Sequence, residues 1–318
     1  MDLTASEVQN LLTSYMTNTM ASVITADLLK KAENPGVKKM LKFGLKIANE
    51  EVKGAESFLK SDNRALPEAF TEEDILLRDS KYYSDQFVII LKYSLGQAAL
   101  NLYSLSLSTS INAKIRTFYK KLLSDTAELV DQCIELFIGN GMHQPIIHIP
   151  RTKVIEKIHN QDFFGKIFGK NRPLSTPEVQ QLTTNYYSTE VLRELFRSFG
   201  QTKTLEIREH FERGVKLCSK QLESIQNMLE KEDLPQFPTW ESEIQTDEAP
   251  FSERLALFKS SLIVGAMGGR YGVSASATLR KDIGTMFLKM MGETLLYAED
   301  TGNLLIKHKY LDEPPMVK

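Results

Sequence analysis

Between residues 35 and 61 apolar side chains recur at three- and four-residue spacing: Val37, Met40, Leu41, Gly44, Leu45, Ala48, Val52, Ala55 and Leu59, with lysines and glutamates between them. This is the period of a helix that buries one face. The stripe returns in the same phase at Ile207, Phe211, Val215, Cys218, Leu222, Ile225 and Leu229. Ahead of each striped segment the chain breaks, at Asn34-Pro35-Gly36 and at Gly200, which predicts a preceding helix over residues 4–33 and 175–199. Thr4 with Glu7, and Ser175 with Glu178, fit the capping box that satisfies free N–H groups at a helix start. Pro177 falls in the first turn, where its missing N–H costs nothing. Two more helical segments follow in each half, over 84–108 with 112–139 and over 251–273 with 276–308.

The halves are copies of one another. Glu7-Val8-Gln9-Asn10-Leu11-Leu12-Thr13-Ser14-Tyr15 reappears 171 residues on as Glu178-Val179-Gln180-Gln181-Leu182-Thr183-Thr184-Asn185-Tyr186. Gly44 and Leu59 match Gly214 and Leu229, and Tyr103, Ile115, Thr117, Lys121 and Thr126 match Tyr271, Ile283, Thr285, Lys289 and Thr294. An ordered series with so little drift implies tandem duplication. The expected division is a first bundle over 1–150, a joint over 151–173 and a second bundle over 174–318. Four helices and almost no strand signal in each unit predict an all-α chain of two tandem four-helix bundles. Helices two and three are joined by about twenty residues, which extended span roughly 66 Å, against roughly 38 Å for a 25-residue helix. The other connections are short, and the order short, long, short predicts an up-down-down-up path, the ferritin-like arrangement.

Composition narrows the classes. Lys plus Arg number 39 and Asp plus Glu 41, a net charge of -2, which gives no overall pull toward nucleic acid or an anionic membrane. Hydrophobic residues at 42% and charged residues at 25% exclude a disordered or collagen-like chain. Two cysteines cannot staple a small secreted scaffold. The first residues lack the basic and apolar regions of a signal peptide, so a cytoplasmic location is expected. Residues 87–111 and 261–279 each hold one charge, Lys92 and Arg270. Their serines and glycines, and the charged helices beside them, favour central bundle helices over membrane spans.

The run Gln161-Asp162-Phe163-Phe164-Gly165, through Arg172-Pro173-Leu174 to Glu178, together with the duplication, resembles an uncharacterised, often duplicated family of endospore-forming bacteria similar to spore coat protein F. The resemblance covers nearly the whole chain and its motifs are structural. It implies a ferritin-like fold and a sporulation-associated role, and no known activity.

Ferritin-like bundles are best known for a di-metal centre made of one glutamate on each of two helices and Glu-x-x-His on each of the others. Glu50, Glu51 and Glu56 on the second helix are answered by Lys220, Gln221 and Gln226 in the second copy. The third helix offers Asp85 or Glu253 at its start. The fourth offers Asp125, Glu128, Asp131 and Glu135, or Glu293, Glu299 and Asp300, without a histidine three residues on. Glu156 with His159 is the sole such spacing, and it lies in the joint. His143 and His148 with His159 could clip a metal, but a Pro-rich loop over a bundle end explains them better. His210 reads as a core-edge residue, and His308 suits a helix C-terminus. Cys133 and Cys218 fall on apolar stripes and are expected to be buried, reduced thiols. Gly265, Gly268, Gly269 and Gly272 match no nucleotide loop and would let helices approach closely. Trp240 and the acidic residues 241–248 mark the second long connection as an exposed, individual surface.

Counting outward from the turn between helices three and four pairs Lys92 with Asp125 and, in the second copy, Lys259 with Glu293, as cross-helix ion pairs. These readings give no catalytic residue, no metal ligand and no cofactor. The expected role is a non-enzymatic scaffold or interaction protein, acting by self-association or with a protein partner, without nucleic acid or membrane. The alternative is a metal- or small-ligand-binding bundle with an atypical site, conceivably an oxidoreductase.

Overall fold

The computed structural model describes residues 2–142, 147–167, 169–244 and 247–316. Among them are eight long helices and no named strand. They are α1 (Ala5–Lys31), α2 (Pro35–Ser61), α3 (Asp85–Thr109), α4 (Ala113–Gly139), α5 (Thr176–Phe199), α6 (Leu205–Glu230), α7 (Glu253–Ala277) and α8 (Lys281–Lys307). Both capping boxes form at the starts of α1 and α5. The glutamate of each box does a second job in both copies. Glu7 Oε1 accepts from the backbone N–H groups of Ile111 and Asn112, at 2.9 and 2.7 Å. Glu178 Oε1 accepts from that of Arg280 at 3.0 Å. One buried carboxylate thus ties the first helix to the start of the fourth. Burial opposes ionisation of Glu178, yet the Arg172 and Ser175 bonds win and hold its carboxyl down to about 2.

In the first copy Met40, Glu50 and Gly54 of α2 meet Cys133, Lys121 and Phe118 of α4, an antiparallel register. Asn10 and Thr25 of α1 meet Thr109 and Lys92 of α3, also antiparallel. Ser22 of α1 meets Asn49 of α2 in the same sense. Both α2 and α3 therefore oppose α1 and run parallel to each other, the predicted up-down-down-up path. The second copy repeats it: Asn185 and Thr189 of α5 meet Ser274 and Tyr271 of α7, while His210 and Lys220 of α6 meet Thr301 and Glu293 of α8.

The compact units draw on both copies of the repeat. One compact unit holds Met1–Met142, Ser242–Lys259 and Lys307–Lys318, and the other holds His143–Glu241 and Ser260–Ile306. The reason lies in the two long connections, which pair reciprocally inside the first unit. Ile75 bridges Phe251 and Tyr83 bridges Ile244, both antiparallel. Ser84 N–H donates to Glu243 O at 3.1 Å and Ser252 N–H to Asp74 O at 2.8 Å. The Ser84 hydroxyl donates to the Glu243 carboxylate, and the Ser252 hydroxyl to Asp74 Oδ1 at 2.6 Å. Ser84 and Ser252 occupy matched places ahead of α3 and α7, so each connection supplies an acid and a carbonyl to the helix start of the other. Between them Tyr82, Tyr83 and Phe251 pack edge to face.

Candidate functional site

The interior of each bundle carries a polar cluster at matched positions. In the first, Glu51 of α2 is fully buried. Its Oε2 accepts from the Tyr103 hydroxyl of α3, while its Oε1 has no partner. Ser14 of α1 lies 3.2 Å from the Tyr119 hydroxyl of α4, and the Ser106 hydroxyl of α3 is buried without a partner. Burial pushes the Glu51 carboxyl up to about 7, with the Tyr103 hydrogen bond and the nearby polar side chains of Ser14 and Asn18 pulling the other way. Burial and the neighbouring carboxylate raise Tyr103 well above the usual phenol range. Glu51 is therefore the one member able to change charge near neutrality.

In the second bundle Gln221 stands where Glu51 does. Its Oε1 accepts from the Tyr271 hydroxyl at 3.0 Å, and its Nε2 donates to Thr294 Oγ1 at 3.1 Å. Tyr271 also meets the Thr189 hydroxyl at 2.7 Å, and Asn185 donates to Ser274 Oγ at 2.7 Å. Phe287 replaces Tyr119. The second cluster is uncharged and spends its polar groups on one another.

One carboxylate among phenols and hydroxyls does not fit a di-metal carboxylate centre. No group of three His, Cys, Asp or Glu residues that could hold a metal occurs among the described residues. Glu50 is exposed and paired with Lys121 at 2.5 Å, and Glu56 pairs with Lys60 at 2.5 Å. Glu156, His148 and His159 are exposed, and His143 lies outside the described residues. Cys133 and Cys218 are free and buried. Burial raises both thiols, Cys133 to about 12. His210 lies deeper than a core-edge residue, 1% exposed. Its Nε2 is 3.0 Å from Thr301 Oγ1 and its ring stacks on Tyr297. Burial, with Arg213 beside it, pulls the imidazole down to about 4. Met40 and Cys133 hold the matching places in the first bundle, their sulfurs 3.2 Å apart.

Three expectations are corrected. Lys92 does not pair with Asp125: its Nζ donates to Thr25 Oγ1 at 2.5 Å, and Asp125 pairs with Lys121 at 2.6 Å. Lys259 does not pair with Glu293, which Lys220 takes at 2.8 Å; Lys259 is buried. The α3–α4 packing shows why, since Gly96 faces Val130. That register sets Lys92 beside Cys133, about two turns from Asp125. Trp240 is buried rather than exposed, and its backbone N–H donates to Glu190 Oε1 at 2.8 Å.

That contact belongs to a cluster the sequence pattern did not mark. On α5, Glu190 and Glu194 are fully buried. Arg193 spans them, 2.5 Å from Glu190 Oε1 and 2.9 Å from Glu194 Oε1. Arg197 lies 3.6 Å from Glu194 and 2.6 Å from Glu241. Burial raises both carboxyls, with the arginines pulling the other way. The matched residues of α1 are Thr19, Ser22, Val23 and Ala26. The signal available was this replacement of neutral side chains by four charges on an otherwise faithful copy.

No described helix is long and apolar enough to cross a membrane. One family, described as Protein of unknown function (DUF3231), matches residues 1–154 and again residues 162–318. No curated protein and no solved structure matches the chain.

Proposed function

From a chain that belongs to this family of unknown function, and carries its domain twice, we propose a non-enzymatic, ferritin-like scaffold or interaction protein. The observation that carries the reading is the interior of the second bundle. There Gln221, Tyr271, Thr189 and Thr294 bind one another across all four helices, so polar side chains that could serve a substrate instead fix helix register. Contact with a partner is supported by α8, where Leu288, Leu295, Leu296 and Ile306 are at least half exposed. Exposed apolar side chains spaced along one helix suit association. The resemblance to duplicated proteins of spore formers, similar to spore coat protein F, adds sporulation as the setting and self-association or a protein partner as the mode.

A second reading, a metal- or small-ligand-binding bundle, is favoured by one feature: Glu51 with its unpartnered oxygen. Elemental analysis of protein purified without chelator separates the two. Trace metal only is expected. Near-stoichiometric iron or manganese, lost in Glu51→Gln, would overturn the scaffold reading in favour of the second.

A further inference from the structure

The outward face of α8 carries a stripe at alternating four- and three-residue spacing: Leu288, Gly292, Leu295, Glu299, Gly302 and Ile306. This is the spacing of a helix seam. The residues that α8 gives to its own bundle, among them Phe287, Met290, Thr294 and Tyr297, are buried on its other side. The stripe is symmetric about Tyr297. Leu288 and Ile306 lie nine residues to either side, Gly292 and Gly302 five, and Leu295 and Glu299 two. Leu296, 67% exposed, stands beside the centre. A second α8 laid antiparallel on this face therefore sets Leu288 against Ile306, Gly292 against Gly302, and Leu296 near its own copy. Such self-complementarity is what a two-fold interface requires.

The glycines point the same way. Gly268 and Gly272 of α7 are used inside the bundle, where an added Cβ would come within 3.2 Å of Leu295 and of the Met291 sulfur. At Gly265 and Gly269 of α7, and at Gly292 and Gly302 of α8, a Cβ would meet no described atom within 4 Å. Each of these four costs about 1 kcal/mol of helix propensity against alanine, and no described neighbour needs them. A helix backbone approaching closely from outside does. Gly265 lies one turn before Gly268 and Gly269 directly after it, so the bare edge of α7 adjoins the α8 stripe. The first copy is different at these places: Lys120, Ser124 and Glu128 match Leu288, Gly292 and Leu296, while Gln97 and Asn101 match Gly265 and Gly269.

The face is two helices wide, about 20 Å, and about 27 Å long from Leu288 to Ile306. Its footprint of roughly 540 Å² per copy exceeds the roughly 400 Å² per side of fortuitous contacts and approaches the roughly 800 Å² of a specific interface. We infer that a second copy of this chain covers this face, α8 packing antiparallel on α8 about a two-fold axis near Leu296, with the α7 glycines at its flank. The inference rests on the reading of α8 as an association surface and names its partner. Glu299, the one charge in the stripe, fixes register at a cost in affinity.

Sedimentation velocity of the full chain between about 1 and 100 μM, a range set to span a micromolar dimer, tests the interface. Leu288→Lys and Leu296→Glu restore the first copy's own residue types at exposed positions, so helix content is expected to stay unchanged. The parent is expected to reach twice the chain mass, and each variant to need at least about tenfold more protein to do so. Oxidation reads the register, the native thiols being buried. Leu296→Cys is expected to give a disulfide-linked dimer. Lys289→Cys, set about 20 Å along the helix from its own copy, is expected to give none. A parent that stays monomeric overturns the inference and leaves metal analysis to judge the scaffold reading. A parent dimer that either folded variant keeps undiminished lies on another face, which overturns this interface and not self-association. Equal cross-linking of the two cysteine variants overturns the antiparallel register, and decides alone if the charge variants fail to fold.

Discussion

Glu51 and Gln221 sit at the same place on α2 and α6, each met by a tyrosine one helix away, Tyr103 or Tyr271. In the second bundle the amide donates to Thr294 and accepts from Tyr271, and every polar atom at that level has a use. In the first, the carboxyl keeps one oxygen unpartnered although Thr126, the counterpart of Thr294, is buried at the matching position. One backbone plan thus carries a core that titrates and a core that does not. What gives only the first a charge is Glu51 in place of Gln221, with Tyr119 and Ser14 beside it where the second copy has Phe287 and Asn185.

The largest expected effect comes from exchanging those two residues. Because burial raises the folded-state pKa of Glu51 to about 7 from 4.5, the folded protein binds a proton that the unfolded chain releases. The stability that Glu51 contributes is therefore fully present below about pH 4.5, falls as pH rises through 7, and is level above that. The drop is on the order of 3 kcal/mol. Glu51→Gln, donating to Thr126, is expected to remove that slope and to stabilise the protein above pH 7, measured by urea unfolding between pH 5 and 8.5. Gln221→Glu is expected to install a similar slope in the second bundle. Parallel pH profiles for the parent and Glu51→Gln would break the comparison.

A smaller effect lies one level along the same helices. A Cβ on Gly214 would come within 2.5 Å of the Tyr297 hydroxyl and 2.6 Å of the Phe196 ring, whereas one on Gly44 would meet Leu129 at an ordinary 3.6 Å. Gly214→Ala is expected to destabilise by about 1–2 kcal/mol, overpacking outweighing the gain in helix propensity. Gly44→Ala is expected to stabilise by about 0.5–1 kcal/mol. Denaturant midpoints for both variants check this, and equal shifts would mean that the two seams are packed alike.

The smallest effect sits on the surface. Lys121 of α4 bridges Glu50 and Asp125 in the first copy, while Lys220 of α6 reaches Glu293 in the second, so the cation has changed helix and the contact persists. Lys121→Ala and Lys220→Ala should each cost about 0–1 kcal/mol and less in high salt. A loss of several kcal/mol from either would identify a coupling that these exposed side chains do not explain.

Helix positions, caps and path were legible because each rests on local chemistry. Pro35, Ser175 with Glu178, and the Val37–Leu59 stripe act within a few residues, and the length of the second connection limits where the chain can go. Register was not legible in the same way. With α3 ending at Thr109 and α4 starting at Ala113, a small error in the turn centre moved the residue opposite Lys92 by two turns. The reciprocal pairing of Ile75 with Phe251 and Tyr83 with Ile244 joins segments about 160–180 residues apart, and no local periodicity encodes the partner. The acids that follow Trp240 point to an exposed segment, yet the residue is buried. Its backbone N–H meets Glu190 on α5, again a distant contact.

The contrast between the two cores is tested most directly by infrared difference spectroscopy of the full chain across pH 5 to 9. The parent is expected to show the carbonyl band of one buried, protonated carboxylic acid that disappears with a midpoint near pH 7, and Glu51→Gln is expected to lack it. A parent spectrum without that band, or a band that survives in Glu51→Gln, would contradict the assignment of a single titrating core to the first bundle.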